Sequence, residues 1–167
     1  VESTVISLVG EAPRLLRPGA VTAEQLREIL PDIVIDSAVL SEIKSGQKVA
    51  SPGMKYKHYA PKAKVVLLNG ESEKFIGFVN SAFEKDSTVG VICYDEDVDS
   101  VNAKTIPIGK ADDLETQAHL LFDALRQVDE LDCFTTVYAH CPVKTGVGMA
   151  LYNRLIRAAS FEVIDLE

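Results

Sequence analysis

From Lys64 onward the chain alternates short apolar runs with longer segments of helical period, and this alternation narrows its possible folds more than any other feature. Val65–Leu68 is a continuous apolar run, the pattern of a strand buried on both faces. Glu73–Glu84 then spaces Phe75, Ile76, Val79 and Phe83 as one face of a helix. Thr88–Tyr94 and Thr105–Ile108 read as further strands. Asp112–Asp129 carries Leu114, Ala118, Leu121, Leu125 and Val128 along one helical stripe. Phe134–Ala139 is a fourth strand, Met149–Ala159 a third helix and Phe161–Ile164 a last strand. Parallel neighbours need a crossover, usually a helix, so this order predicts an α/β fold. The expected architecture is a mostly parallel, Rossmann-like sheet with flanking helices over residues 64–167.

The residues before it do not follow that pattern. Ser3–Leu8 reads as a strand, and Gly10 and Pro13 as a turn. A short apolar stretch then ends at Arg17-Pro18-Gly19. Thr22 with Gln25 three residues on has the form of a capping box, opening a helix with Leu26, Ile29 and Leu30 on one face, and Pro31 stops it. About thirty residues cannot enclose a core of their own. Residues 1–31 are therefore expected to be the closing strand and helix of an α/β domain, the chain opening at Val1 as a processed or partial one. Residues 32–63 have no sustained period and carry Pro52 and Pro61. They read as a long connection, which in compact proteins is usually a lid, a binding loop or a linker.

Composition excludes several classes. Hydrophobic content of 47% with a mean hydropathy of +0.10 fits a folded soluble chain. No apolar run approaches the roughly 20 residues of a membrane span, and no secretory signal pattern opens the chain. A net charge of −8 argues against general nucleic-acid binding. Three cysteines are too few and scattered for a disulfide framework. Cys93 and Cys133 fall in apparent strands, and Cys141 beside His140 lacks a second ligand pair, so a reducing, cytosolic setting is expected. Between Glu42 and Glu71 there is no acid at all, while Lys44, Lys48, Lys55, Lys57, Lys62 and Lys64 fall there. On charge alone this is a solvated connection, with an anion-facing segment as the alternative.

Inside it stands S-P-G-M-K-Y-K-H-Y-A-P, residues 51–61. Pro52-Gly53 favours a turn and Pro61 keeps Ala60 out of the helical region, so the residues between are expected to be extended. Alternation then puts Tyr56 and His58 on one face and Lys55, Lys57 and Tyr59 on the other. One face could stack on a base while the other meets phosphate or solvent. A strap pinned by two tyrosines accounts for the same residues, and taken alone they favour it.

The motif resembles the interdomain linker of the two-domain, YrdC-type threonylcarbamoyl-AMP synthases, whose usual form is S-P-G-M-[KR]-Y-[KR]-H-Y-A-P. Upstream, E-S-T-V-I at residues 2–6 and L-R-P-G at 16–19 resemble the end of that family's catalytic domain. Downstream, G-V-G-M-A-L-Y-N-R-L-I-R-A-A at 146–159 resembles the closing helix of its C-terminal domain. Residues 65–140 match only in fold pattern. The resemblance implies that the intact protein condenses L-threonine, bicarbonate and ATP into threonylcarbamoyl-AMP and pyrophosphate, for threonylcarbamoyladenosine formation in tRNA. It implies that Ser3 helps hold threonine and that Arg17 meets the nucleotide, with Tyr56, then Tyr59, reaching it from the linker. His58, Lys55 and Lys57 would complete the lid. The family's K-x-R and S-x-N motifs, which bind ATP and Mg²⁺, have no counterpart here as the family places them. No catalytic residue or metal ligand is therefore assigned to this chain, which alone should be inactive. The rest of the catalytic domain, and a downstream tRNA-modifying transferase, are the implied partners. The alternative is a nucleotide-sensing or tRNA- or partner-docking module without catalysis. A third is an oligomerisation domain.

The remaining candidates read as structural. Thr145-Gly146-Val147-Gly148 could offer N–H groups to an anion but lacks the endings of a P-loop or dinucleotide fingerprint, so a tight turn into a helix is expected. Asn153 and Arg154 read as packing or interdomain contacts. Asp95-Glu96-Asp97 with Asp99 reads as a solvated acidic loop, and His119 as a surface or boundary residue.

Overall fold

A computed structural model describes residues 2–41 and 60–167. Near the N-terminus, β1 (Val5–Ser7) pairs antiparallel with β2 (Arg14–Arg17). After it, α1 (Ala23–Arg27) starts at the expected capping box. Gln25 N donates to Thr22 Oγ1 at 3.3 Å, and Thr22 N donates to Gln25 Oε1 at 2.9 Å. Two short elements then lie where the sequence has no period. β3 (Val34–Ile35) pairs parallel with β2, and α2 (Ser37–Leu40) is one turn capped by Asp36, which accepts from Ala38 N at 3.0 Å. Neither is long enough to carry a periodic signal; both exist because Val39, fully buried, anchors them against the rest of the chain.

The larger body is a five-stranded sheet of β4 (Lys64–Asn69), β5 (Val89–Cys93), β6 (Lys104–Pro107), β7 (Thr136–His140) and β8 (Val163–Asp165). Its order is β6-β5-β7-β4-β8 and every pairing is parallel, as the alternation predicts. The helices α3 (Ser72–Lys85), α4 (Leu114–Leu131) and α5 (Gly146–Ala158) cross over between strands. Strand periodicity divides the core in two. Val65, Leu67, Ile92, Val137 and Ala139 pack against Leu121 and Leu125 of α4 and Leu151 and Leu155 of α5. Val66, Leu68, Val89, Val91 and Cys93 pack against Phe75 and Val79 of α3. Both faces are thereby covered, as all-parallel sheets require.

Two expectations need correction. Residues Asp95–Ser100 form a 3-10 helix rather than a wholly solvated loop, and Asp97 within it is only 2% exposed. Cys133 is not in a strand. Asp132 adopts a left-handed conformation (φ 42°) that ends α4, and Cys133 lies exposed ahead of β7. Among the described residues no helix is long and apolar enough to cross a membrane.

A third, smaller cluster joins the two bodies. Leu15, Ala23, Ile33 and Val39 bury themselves against Met149 on α5.

Candidate functional site

The two short motifs near the N-terminus are folded onto each other. Arg17 on β2 donates from Nε to the Ser3 carbonyl at 3.0 Å and pairs through Nη1 with Glu2 at 3.1 Å. Thr4 ties the other side, donating from Oγ1 to Val21 O at 2.7 Å and accepting from Val21 N at 3.1 Å. Gly19 lets this happen: a Cβ there would stand 2.3 Å from Glu2 O and 2.5 Å from Thr4 N, so no other residue fits. Ser3 is exposed and the Arg17 side chain is mostly covered, so the structure brings these two candidates into contact along one edge.

Helix α5 holds that edge from the other side. Arg154 pairs through Nη2 with the same Glu2 oxygen that Arg17 uses. Asn153 donates to Val39 O at 2.6 Å and Arg157 to Ala38 O at 2.7 Å, seating α2 on the helix. Burial, and to a lesser degree the neighbouring Arg157, pushes the Arg154 guanidinium down to about 10, still a cation at neutral pH. The start of α5 is the tight turn the glycines suggest, with Gly146 at φ +53°. The anion it attracts is the protein's own: Gly146 N donates to Glu24 Oε1 at 3.4 Å. The Glu24 carboxyl is held below its ordinary range by its own backbone N–H first, with Gly146, Thr22 and Arg27 adding.

Lys55, Tyr56, Lys57, His58 and Tyr59 lie outside the described residues. The end of their motif is placed. Ala60 and Pro61 line an open cavity of about 360 Å³ with Lys64, Ala158, Ser160 and Glu162, and Lys62 N donates to Asp129 Oδ1 at 2.7 Å.

One constellation escaped the sequence. His140, at the carboxyl end of β7, stacks between Phe75 (ring centroids 3.5 Å apart) and Tyr94 (4.2 Å), and its Nε2 stands 2.7 Å from Asp97 Oδ2. His140 titrates below its ordinary value because burial outweighs the hydrogen bond and charge of Asp97. Burial and the Asp97 charge also push the Tyr94 phenol up to about 12. These groups sit where β5 continues outward to β6 while β7 crosses back to β8. Their partners are 43 residues apart, a pairing that no local pattern announces.

Comparison with known proteins extends this geometry. A family model described as "Threonylcarbamoyl-AMP synthase, C-terminal domain" matches residues 21–160. This chain belongs to the threonylcarbamoyl-AMP synthase family. It corresponds to the family's C-terminal portion. The Bacillus subtilis threonylcarbamoyl-AMP synthase is 37% identical over 165 residues, covering 98% of this chain and 46% of that protein. The Pyrococcus abyssi synthase is 35% identical over 173 residues, with 99% and 48% covered. The chain thus spans about half the length of the curated relatives it matches. A crystal structure of P. abyssi Sua5 complexed with L-threonine superposes with a TM-score of 0.83 at 32% identity, covering 99% of this chain and 48% of that one. A structure of the same protein with a histidine and the following tyrosine both changed to alanine matches equally well. The family model begins beyond Ser3 and Arg17, but the full-length synthases cover nearly the whole chain, including the segment that holds both.

Proposed function

We propose that this chain is the lid and accessory portion of a synthase that makes threonylcarbamoyl-AMP and pyrophosphate from L-threonine, bicarbonate and ATP, for threonylcarbamoyladenosine formation in tRNA. In this reading residues 1–31 close the catalytic domain, 32–63 connect, and 64–167 form the accessory domain. The observation that carries it is the joining of E-S-T to R-P-G through Arg17, Ser3 and Gly19. This gives one exposed hydroxyl and one fixed guanidinium on a shared edge, a suitable rim for an amino-acid carboxylate and a nucleotide phosphate. The P. abyssi relative crystallised with L-threonine supports threonine as a substrate. Leu8, Val9 and Ile29 are 68%, 85% and 82% exposed, which fits a surface that the rest of a catalytic domain would cover.

The strap completes the site. Tyr56 and Tyr59 meet the nucleotide, and Lys55, Lys57 and His58 close over it. Closure matters because a carbamoyl intermediate decomposes in water, and a shut lid keeps water out while the second bond forms. ATP brings Mg²⁺, whose ligands we assign to the portion of the intact protein outside this chain. Three free thiols fit a reducing, cytoplasmic setting.

The test uses the full-length protein and measures pyrophosphate release dependent on all three substrates. Tyr56→Ala or His58→Ala is expected to lower that rate about 10-fold or more. Unchanged rates and substrate affinities in both variants would remove the lid from the mechanism.

A further inference from the structure

The accessory domain does more than carry the strap. Glu2 stands directly before Ser3, and its carboxylate is shared by two guanidinium groups arriving from different bodies: Arg17 from β2 and Arg154 from α5. Arg17 in turn grips the Ser3 carbonyl. A continuous polar chain therefore runs from the accessory helix through Glu2 and Arg17 to the backbone of Ser3. Gly19 and Thr4 leave that backbone little freedom to drift.

We propose that Arg154 is a positioning residue for the threonine and nucleotide edge, setting the place of Ser3 and Arg17 through Glu2. The inference rests on the reading of that edge given above. It assigns the accessory domain a direct part in substrate affinity, beyond support.

The physical case is one of geometry. Two guanidinium groups meet on one oxygen of the Glu2 carboxylate and hold that oxygen between the two bodies. The Arg154 side chain is 9% exposed and the Arg17 side chain 16% exposed, so water replaces neither contact readily. Without Arg154, Glu2 is held from one side only. Arg17 then divides its donors between a loosened carboxylate and the Ser3 carbonyl, and the hydroxyl of Ser3 loses its fixed address. Such an effect appears in binding before it appears in the chemical step.

The experiment measures kcat and the KM for L-threonine in the full-length synthase for Ser3→Ala, Glu2→Gln, Arg154→Met and Arg154→Lys, with thermal midpoints for all. Asn153→Ala serves as a structural control, since Asn153, on the same helix as Arg154, donates to Val39 of α2. Arg154→Met is expected to raise the threonine KM about 10-fold while kcat stays within about twofold. Arg154→Lys should recover part of that loss, and the Glu2→Gln, Arg154→Met pair should be no worse than the poorer single change. Asn153→Ala should lower the thermal midpoint and leave the threonine KM where it was. If Ser3→Ala raises the threonine KM but neither Arg154 variant does, the proposal falls and the reading of the edge stands. If Ser3→Ala is silent and Arg154→Met is not, the path through Ser3 is absent, and both the positioning proposal and the role of Ser3 fall. If both are silent, both readings are overturned. Should Arg154→Met fold poorly, calorimetric titration of Arg154→Lys and Glu2→Gln with L-threonine decides on the same criterion.

Discussion

The two bodies of this chain solve the same problem differently. The five-stranded sheet buries both of its faces, with Leu67, Val91, Phe75 and Val79 out of contact with water. The segment of residues 2–41 has three strands of two to four residues and leaves several large apolar side chains in the open. Its cluster of Leu15, Ala23, Ile33 and Val39 closes only because Met149 reaches in from α5. One body is self-sufficient; the other is completed from outside. Affinity for a substrate at the N-terminal edge should then depend on a helix that belongs to the other body, which is the sense of the Arg154 proposal.

The largest expected effect tests that dependence directly. Met149→Ala should destabilise residues 2–41 by about 2–5 kcal/mol, because it empties a buried position that α5 supplies to their core. Hydrogen exchange locates the loss. Amides of β2 and α1 should open early while those of β4 and β7, which lie between other strands, keep their protection. Equal loosening of the five-stranded sheet would mean that the two bodies are one cooperative unit.

The same contrast governs what the sequence makes legible. The inner strands β4 and β5 show as apolar runs, because burial on both faces leaves little choice of residue. The capping box at Thr22 is also plain, being a local bargain between residues three apart. β3 and α2 are invisible because their reason is tertiary: Val39 is buried and its carbonyl accepts from Asn153, 114 residues away. Asp97 misleads for a related cause. Amid three other acids it reads as solvent-facing, yet His140 supplies a buried partner. At the candidate site, E-S-T and R-P-G were readable as motifs, while Glu2 as the joint between them and α5 was not. Its partner Arg154 is 152 residues on, and only the fold brings it there.

A second prediction probes the self-sufficient body at its buried titrating pair. The ordinary histidine value is 6.5, and in the fold His140 lies lower because burial disfavours the imidazolium. As pH falls through about 6.5 the unfolded chain takes up a proton that the folded chain refuses. Stability is then lost, by at most about 1.4 kcal/mol per pH unit, until the folded value is passed. Urea unfolding between pH 7.5 and 5, followed by signals from the large sheet, should show this slope. His140→Gln, which can still donate to Asp97, should flatten it. A variant with an unaltered slope would mean that His140 binds its proton equally well folded and unfolded, and that the slope comes from other groups.

The smallest effect sharpens the comparison most. Thr22→Ala removes the acceptor for Gln25 N while the backbone N–H at position 22 can still donate to Gln25, so it should cost about 1 kcal/mol. In a self-sufficient domain such a loss spreads over the whole unfolding transition. Here α1 belongs to the body that depends on α5, so the cost should fall on that body alone. Early opening of α1 would also release Glu24 from the start of α5, removing a carboxylate from a helix N-terminus that attracts one. Exchange at Leu26, Ile29 and Leu30 should therefore quicken about fivefold, as about 1 kcal/mol implies. Gly146 N, which donates to Glu24 of α1, should quicken with them, while exchange in β4, β5 and β7 stays unchanged. Quickening at Gly146 without change in α1 would place the cap's value in the contact between bodies, and the N-terminal segment would then hold its helix without help from its own first turn.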